Sequence, residues 1–155
     1  VWGYSGGSFL VSLSLSSLFP MPAVFDHERL KVYHEAIRFV GWVSPLLDEL
    51  PAKIAARDQL DRASTSVPLN LAEGNAKRSY GERSRYFEIA RGSGVECAAC
   101  LDVLVAKGKL TPERAVEGKQ ILIEVVSMTA GLIARFSPSA NVEEDVGPDP
   151  LSSRW

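Results

Sequence analysis

A chain of 155 residues with 46% hydrophobic side chains can bury one real core, and it is too short for two comfortable domains. That composition excludes disorder throughout and a protein of several membrane spans. The formal net charge of -2 is unevenly placed. Residues 25–136 hold 16 Lys and Arg against 15 Asp and Glu, whereas residues 137–155 hold four acids and one Arg. The acidity therefore belongs to the end of the chain, and any basic patch must be sought locally.

Residues 1–24 carry no charge. The apolar stretch from Phe9 to Phe19 is broken by Ser12, Ser14, Ser16 and Ser17, and it is shorter than the ~20 residues of a membrane helix. A secretory signal would begin with Lys or Arg, and none is present. Met21 stands just before the first charged, periodic segment. These residues predict a disordered upstream extension with Met21 as the natural start, against the alternative of an atypical export signal. Cys97 and Cys100, the only cysteines, are too few for a disulfide framework and fit a reducing, cytoplasmic setting.

Four helical segments follow. The first runs from about Asp26 to Leu50, with Leu30, Tyr33, Ile37, Val40 and Leu47 as its apolar face and Asp26 as a cap. Ser44-Pro45 predicts a kink, or a break with Ser44 as a new cap. The second runs from about Ala55 to Ala76 over Leu60, Ala63, Val67, Leu71 and Gly74, with Pro68 bending it. The third runs from near Gly81 to Ala106 over Tyr86, Ala90, Ser93, Cys97, Cys100 and Leu104. Gly92, Ser93 and Gly94 are poor helix formers there, which implies the close approach of another backbone. Gly108 reads as a stop. The fourth opens on Thr111-Pro112-Glu113 and uses Ala115, Leu122, Val126, Thr129, Ile133 and Phe136. Residues 137–155 lack periodicity and read as a disordered acidic tail. Short connections between long helices favour an all-α, antiparallel up-down four-helix bundle over residues 25–136.

The string Ser66-Val67-Pro68-Leu69-Asn70-Leu71-Ala72-Glu73-Gly74, followed by Phe87-Glu88-Ile89-Ala90-Arg91-Gly92-Ser93 with Glu96 beyond it, resembles the paired motifs of the four-helix-bundle proteins encoded in intervening sequences of 23S ribosomal RNA. Gln59, Arg62 and Ala63 match the approach to the first motif. The resemblance covers about Phe25 to Phe136. It implies a left-handed bundle, often assembled as a ring-shaped pentamer, with no enzymatic activity. The accessory protein of diversity-generating retroelements is similar to that family and binds reverse transcriptase and nucleic acid through a basic surface. Ser44-Pro45 departs from the commoner pattern and puts the first connection in doubt.

Several residues invite chemistry. Cys97-Ala98-Ala99-Cys100 is formally C-x-x-C, but its mid-helix, apolar position predicts two buried small side chains rather than a redox pair. A zinc site would have to recruit His27 and His34, without finger spacing. Arg29 and His34 are spaced as in small helical ribonucleases, where Arg holds phosphate and His assists the ribose hydroxyl; a solvent-facing His is the plainer reading. Glu73 and Glu96 could form an acid-base pair, or serve structurally by pairing with Arg62, Arg91 and Asn70. Lys77, Arg78, Arg83, Arg85 and Arg91, interleaved with Tyr80 and Tyr86, have the chemistry of phosphate contact and base stacking. No Gly-rich phosphate loop or nucleotide fingerprint occurs, and no cofactor or metal is expected.

The reading is thus a non-catalytic homo-oligomeric scaffold, pentameric by resemblance. Its partners would be RNA, DNA or a nucleic-acid enzyme such as a reverse transcriptase, and no membrane. A protein-only adaptor and the Arg29–His34 ribonuclease are the alternatives. Trp42, off the main apolar stripe, is the candidate interface aromatic.

Overall fold

The computed structural model describes residues 25–137, so the extension and all of the acidic tail beyond Ser137 lie outside it. A 3-10 turn over Asp26–Arg29 leads into α1 (Lys31–Glu49), α2 (Ala55–Ala76), α3 (Tyr80–Ala106) and α4 (Pro112–Phe136). Each helix packs against its sequential neighbour, and α1 also packs against α4. The connections are short, the helices alternate up and down, and the result is an all-α antiparallel four-helix bundle.

Local chemistry sets the helix ends. The Thr111 hydroxyl accepts from the Arg114 amide at 3.3 Å, with Pro112 in the first turn. Ser79 does the same for α3 through Glu82. At the end of α3, Gly108 takes φ +63. The Lys109 amide donates to the Leu104 carbonyl and the Gly108 amide to that of Val105, both at 2.9 Å. This is the Schellman closure, and it needs the left-handed conformation that glycine adopts freely. Arg114 clamps Glu49 with bonds of 2.6 and 3.0 Å, tying the start of α4 to the end of α1. That guanidinium holds the Glu49 carboxyl below the usual range, and Glu49 in turn raises Arg114.

The core has two layers. The first centres on Phe39, Val43, Leu46, Leu60, Cys97, Leu101, Leu104 and Leu122. The second, at the end carrying the α2–α3 turn, centres on Val32, Ala36, Val67, Leu71, Phe87, Ala90 and Val125.

Several sequence expectations need correction. The start of α1 is at Lys31, because residues 26–29 form the tighter 3-10 turn. There is no break at Pro45: α1 is continuous to Glu49, and the Ser44 hydroxyl donates to the Val40 carbonyl instead of capping a new helix. The deep face of α1 is Val32, Ala36, Phe39, Val43 and Leu46; Leu30, Tyr33, Ile37 and Val40 are half-buried at its flank. On α3 the ring driven into the core is Phe87, not Tyr86. On α4, Ile121 and Val125 lie deeper than Val126, Ile133 and Phe136. Trp42 turns inward, stacking on Phe39 at 5.8 Å; an ideal Cβ on Gly118 would stand 2.5 Å from its ring. No other backbone comes close at either glycine: a Cβ on Gly94 would meet a Val126 methyl at 3.1 Å, and Gly92 faces open space.

Candidate nucleic-acid interface

The two motifs meet across α2 and α3. The Ser66 and Ser93 hydroxyls are hydrogen-bonded at 2.8 Å. The Asn70 amide donates to the Ser66 carbonyl at 2.8 Å and to its hydroxyl at 3.0 Å. Asn70 thereby ties the Ser66 hydroxyl and carbonyl into one cluster on α2; the ladder donor that buried Pro68 lacks is the one to the Ser64 carbonyl. One turn on, Gly74 leaves room for the Phe87 ring. These contacts make Pro68, Asn70, Gly74 and Ser93 the devices that set how close α2 and α3 lie and in what register.

The same register keeps Glu73 and Glu96 apart. Glu73 lies seven residues from Ser66 and Glu96 three from Ser93 in the opposite direction. At 1.5 Å per residue they are separated by about 15 Å along the axis. Glu73 pairs with Lys77 at 2.6 Å, Glu96 is exposed, and neither carboxylate is ion-paired to Arg62 or Arg91 among the described residues. Arg62 is exposed beside an open hollow with Asp61, Thr65, Leu69 and Asn70. The acid-base reading therefore has no geometry behind it.

The cysteines are also separated from the histidines. Cys97 and Cys100 belong to the first core layer, whereas His27 and His34 stand at the opposite end, on the 3-10 turn and the start of α1. Among the described residues no three His, Cys, Asp or Glu side chains are placed to hold a metal. Burial pushes the Cys97 thiol up to about 12, with the Cys100 and Glu96 charges adding to the effect. An acid whose folded pKa is raised stabilises the fold below its ordinary pKa, and that contribution drains away as pH rises toward 12. The slope of stability against pH from this group should be negative there, up to ~1.4 kcal/mol per unit. Urea unfolding at pH 8 and 10.5 checks this against Cys97→Ala, which should flatten the slope; identical slopes would contradict it. The His34 ring donates from Nε2 to the Glu28 carbonyl at 2.7 Å, which places the proton on Nε2 and the lone pair of the neutral ring on Nδ1.

The five predicted basic residues divide into two kinds. Lys77 is engaged with Glu73 and lies 5.0 Å above the Tyr86 ring; these partners raise its pKa, the Glu73 hydrogen bond most. Arg83 donates from Nε to the Lys77 carbonyl at 2.6 Å and rests over the Phe136 ring at 5.1 Å. It caps α2 and supports the core edge. Arg78 and Arg85 are exposed and carry no ion pair among the described residues, and Arg91 has only a 3.9 Å contact with Glu88. The topology adds cations that sequence reading did not group with these. The 3-10 turn and the start of α1 bring exposed Arg29 and Lys31 to this end of the bundle, and the end of α4 brings Arg135. Helix dipoles add little, because the N-termini of α1 and α3 sit beside the C-termini of α2 and α4. The basic character of this end is a matter of side chains.

The profile of the 23S rRNA-intervening sequence proteins matches residues 28–131. The chain belongs to that family. A solved relative supports the fold: a protein with unknown function from the S23 ribosomal protein family of Bacteroides thetaiotaomicron VPI-5482. It is 19% identical, with a TM-score of 0.62 over 66% of this chain and 97% of that one. No curated protein matches. Like the rest of the described part, the family region holds no helix long and apolar enough to cross a membrane.

Proposed function

We propose that this member of the 23S rRNA-intervening sequence protein family is a non-catalytic, self-assembling scaffold that binds structured RNA through the α2–α3 end of its bundle. The observation that carries this reading is that the topology brings Arg78, Arg85, Arg29 and Lys31, exposed and without an ion pair among the described residues, to one end of the bundle. Of the acids at that end, Glu73 is paired with Lys77, while Glu82 and Glu28 accept from the neutral Ser79 hydroxyl and Phe25 amide. Such cations hold phosphate without reading bases. The family's description names a 23S rRNA intervening sequence, which makes RNA the first ligand to test. The resemblance to the retroelement accessory protein extends the proposal to a nucleic-acid enzyme as a further partner. A pentamer would repeat the basic end around a ring and multiply a weak patch. Exposed Val95, Val103, Val116 and Ile123 on α3 and α4 offer the apolar surface for assembly, so light scattering should give about five times 16.9 kDa.

Arg83 is left out of the test because it holds the fold. Arg78→Gln with Arg85→Gln should leave the melting curve unchanged, since exposed charges contribute only ~0–1 kcal/mol per pair. It should weaken binding to a 23S rRNA stem-loop by roughly tenfold per lost phosphate contact at about 50 mM salt. Wild-type protein that ignores RNA at low salt, or a variant that binds as well as wild type, favours the protein-only adaptor.

A further inference from the structure

The outward stripe of α4 is Val116, Gln120, Ile123, Ser127, Ala130 and Ala134, all exposed and none charged. Their spacing alternates between four residues and three, the heptad seam by which one helix takes another as a partner. Within the bundle α4 turns other residues, Ile121, Leu122 and Val125 among them, toward α3 and α1. The seam is left facing solvent. On its α1 flank stands Glu117, beside Trp42 and Gln120. That carboxylate carries no ion pair among the described residues.

The complement lies on α2. Arg62, Thr65, Ser66 and Leu69 wall an open hollow of about 420 Å³. They fall at i, i+3, i+4 and i+7, and four residues so spaced make the hole that receives one side chain of a facing helix. Hydrogen bonds from Asn70 and with Ser93 hold the Ser66 hydroxyl in place, so the hole has a fixed floor. Arg62 is exposed and has no ion pair among the described residues. Leu69 and Ile123 are each 64% exposed. Because α2 and α4 are diagonal in the bundle, the hole and the seam look out from opposite sides of the molecule. Neither can cover the other within one chain.

We infer that α4 of one copy docks on α2 of the next, with Ile123 seated in the Arg62–Leu69 hole and the Arg62 guanidinium on Glu117. This rests on the self-assembly proposed above and supplies its contact. Opposite charges beside a heptad seam select the partner, and here both signs come from the same chain. The step from Val116 to Ile123 equals the step from Arg62 to Leu69. Ile123 and the Thr65–Ser66 pair lie at the middle of α4 (Pro112–Phe136) and α2 (Ala55–Ala76), so docked bundles stand level. Both helices run the same way, so a parallel pairing puts every basic end on one side of the assembly. Each docked copy still offers a free hole and a free seam, which is the head-to-tail arrangement that grows until a ring closes.

Light scattering and sedimentation of the full chain at micromolar concentration test this. The wild type should exceed twice 16.9 kDa. Ile123→Asp and Leu69→Asp change exposed positions, so each should keep the helical circular dichroism and fall to the monomer mass. Mixed together they should form a two-copy complex and stop there, since only one intact seam and one intact hole can meet. Arg62→Glu and Glu117→Arg should each weaken assembly roughly tenfold, as when an interface charge pair turns repulsive. Joined in one chain, the two reversals should restore it to within about threefold of wild type. An assembled wild type that tolerates Ile123→Asp or Leu69→Asp, a mixture that stays monomeric, or a joint reversal that restores nothing overturns the α2–α4 contact and leaves self-assembly standing. A monomeric wild type overturns self-assembly and the contact together.

Discussion

Phe87→Ala should destabilise the bundle by about 3–5 kcal/mol, the usual cost of emptying a fully buried aromatic site. The ring is 1% exposed; it fills the second core layer and supports Phe136 at the end of α4. Urea unfolding of the two proteins measures the loss, and a change under 1 kcal/mol would mean that the layer repacks around the gap. Gly74→Ala supplies the companion result. Its Cβ would lie 2.9 Å from the Phe87 ring and 3.0 Å from the Tyr86 Cβ, so α2 and α3 must separate, at about 1–3 kcal/mol. With Phe87 already truncated the ring contact is gone and the Tyr86 Cβ contact remains, so the double variant should be less unstable than the two single losses added together.

Gly118→Val is the second large effect. A Cβ at that position meets the Trp42 ring at 2.5 Å and a Leu101 methyl at 3.0 Å. A stacked indole cannot move aside as the tip of a flexible chain can. The added bulk should cost about 2–3 kcal/mol or expel Trp42 from its seat. Trp42 fluorescence should shift to the red in the second case, although Trp2 and Trp155 contribute background. A variant as stable as wild type, with unshifted emission, would show that the seat has slack that these distances do not suggest.

The helix count, the cap at Thr111, the stop at Gly108 and the inner face of α2 were legible because each is a local property, whereas Asp26 does not cap α1, whose N-cap is Leu30. Thr111-Pro112 and Gly108 act on their own neighbouring amides, and Leu60, Ala63, Val67 and Leu71 form an uninterrupted ladder. Depth on α1 was not legible. Leu30, Tyr33, Ile37 and Val40 form one apolar ladder and Val32, Ala36, Phe39 and Val43 another, and both fit a helical period. A helix with two packed neighbours buries a wide arc, so the choice of the deeper ladder depends on what faces it, including the Gly118 hollow on α4. Phe87 outranks Tyr86 for the same kind of reason: the missing side chain of Gly74, on a different helix, makes the space. At the candidate interface the sequence showed the basic run from Lys77 to Arg91. It could not show that Arg83 is used up on the Lys77 carbonyl, that Glu73 and Glu96 are a helix segment apart, or that Arg29 and Lys31 join the patch from the start of α1. Those are consequences of register and topology.

The central claim is that one end of the bundle, and not its length or opposite end, meets RNA. Chemical-shift mapping with a 23S rRNA stem-loop at low salt tests it most directly. The backbone amides from Lys77 to Arg85, together with Arg29 and Lys31, should shift most. The turn at Lys107–Leu110 and the Glu49–Arg114 clamp should stay in place. Shifts centred on that far turn, or on the apolar α3–α4 face at Val95 and Ile123, would contradict the account.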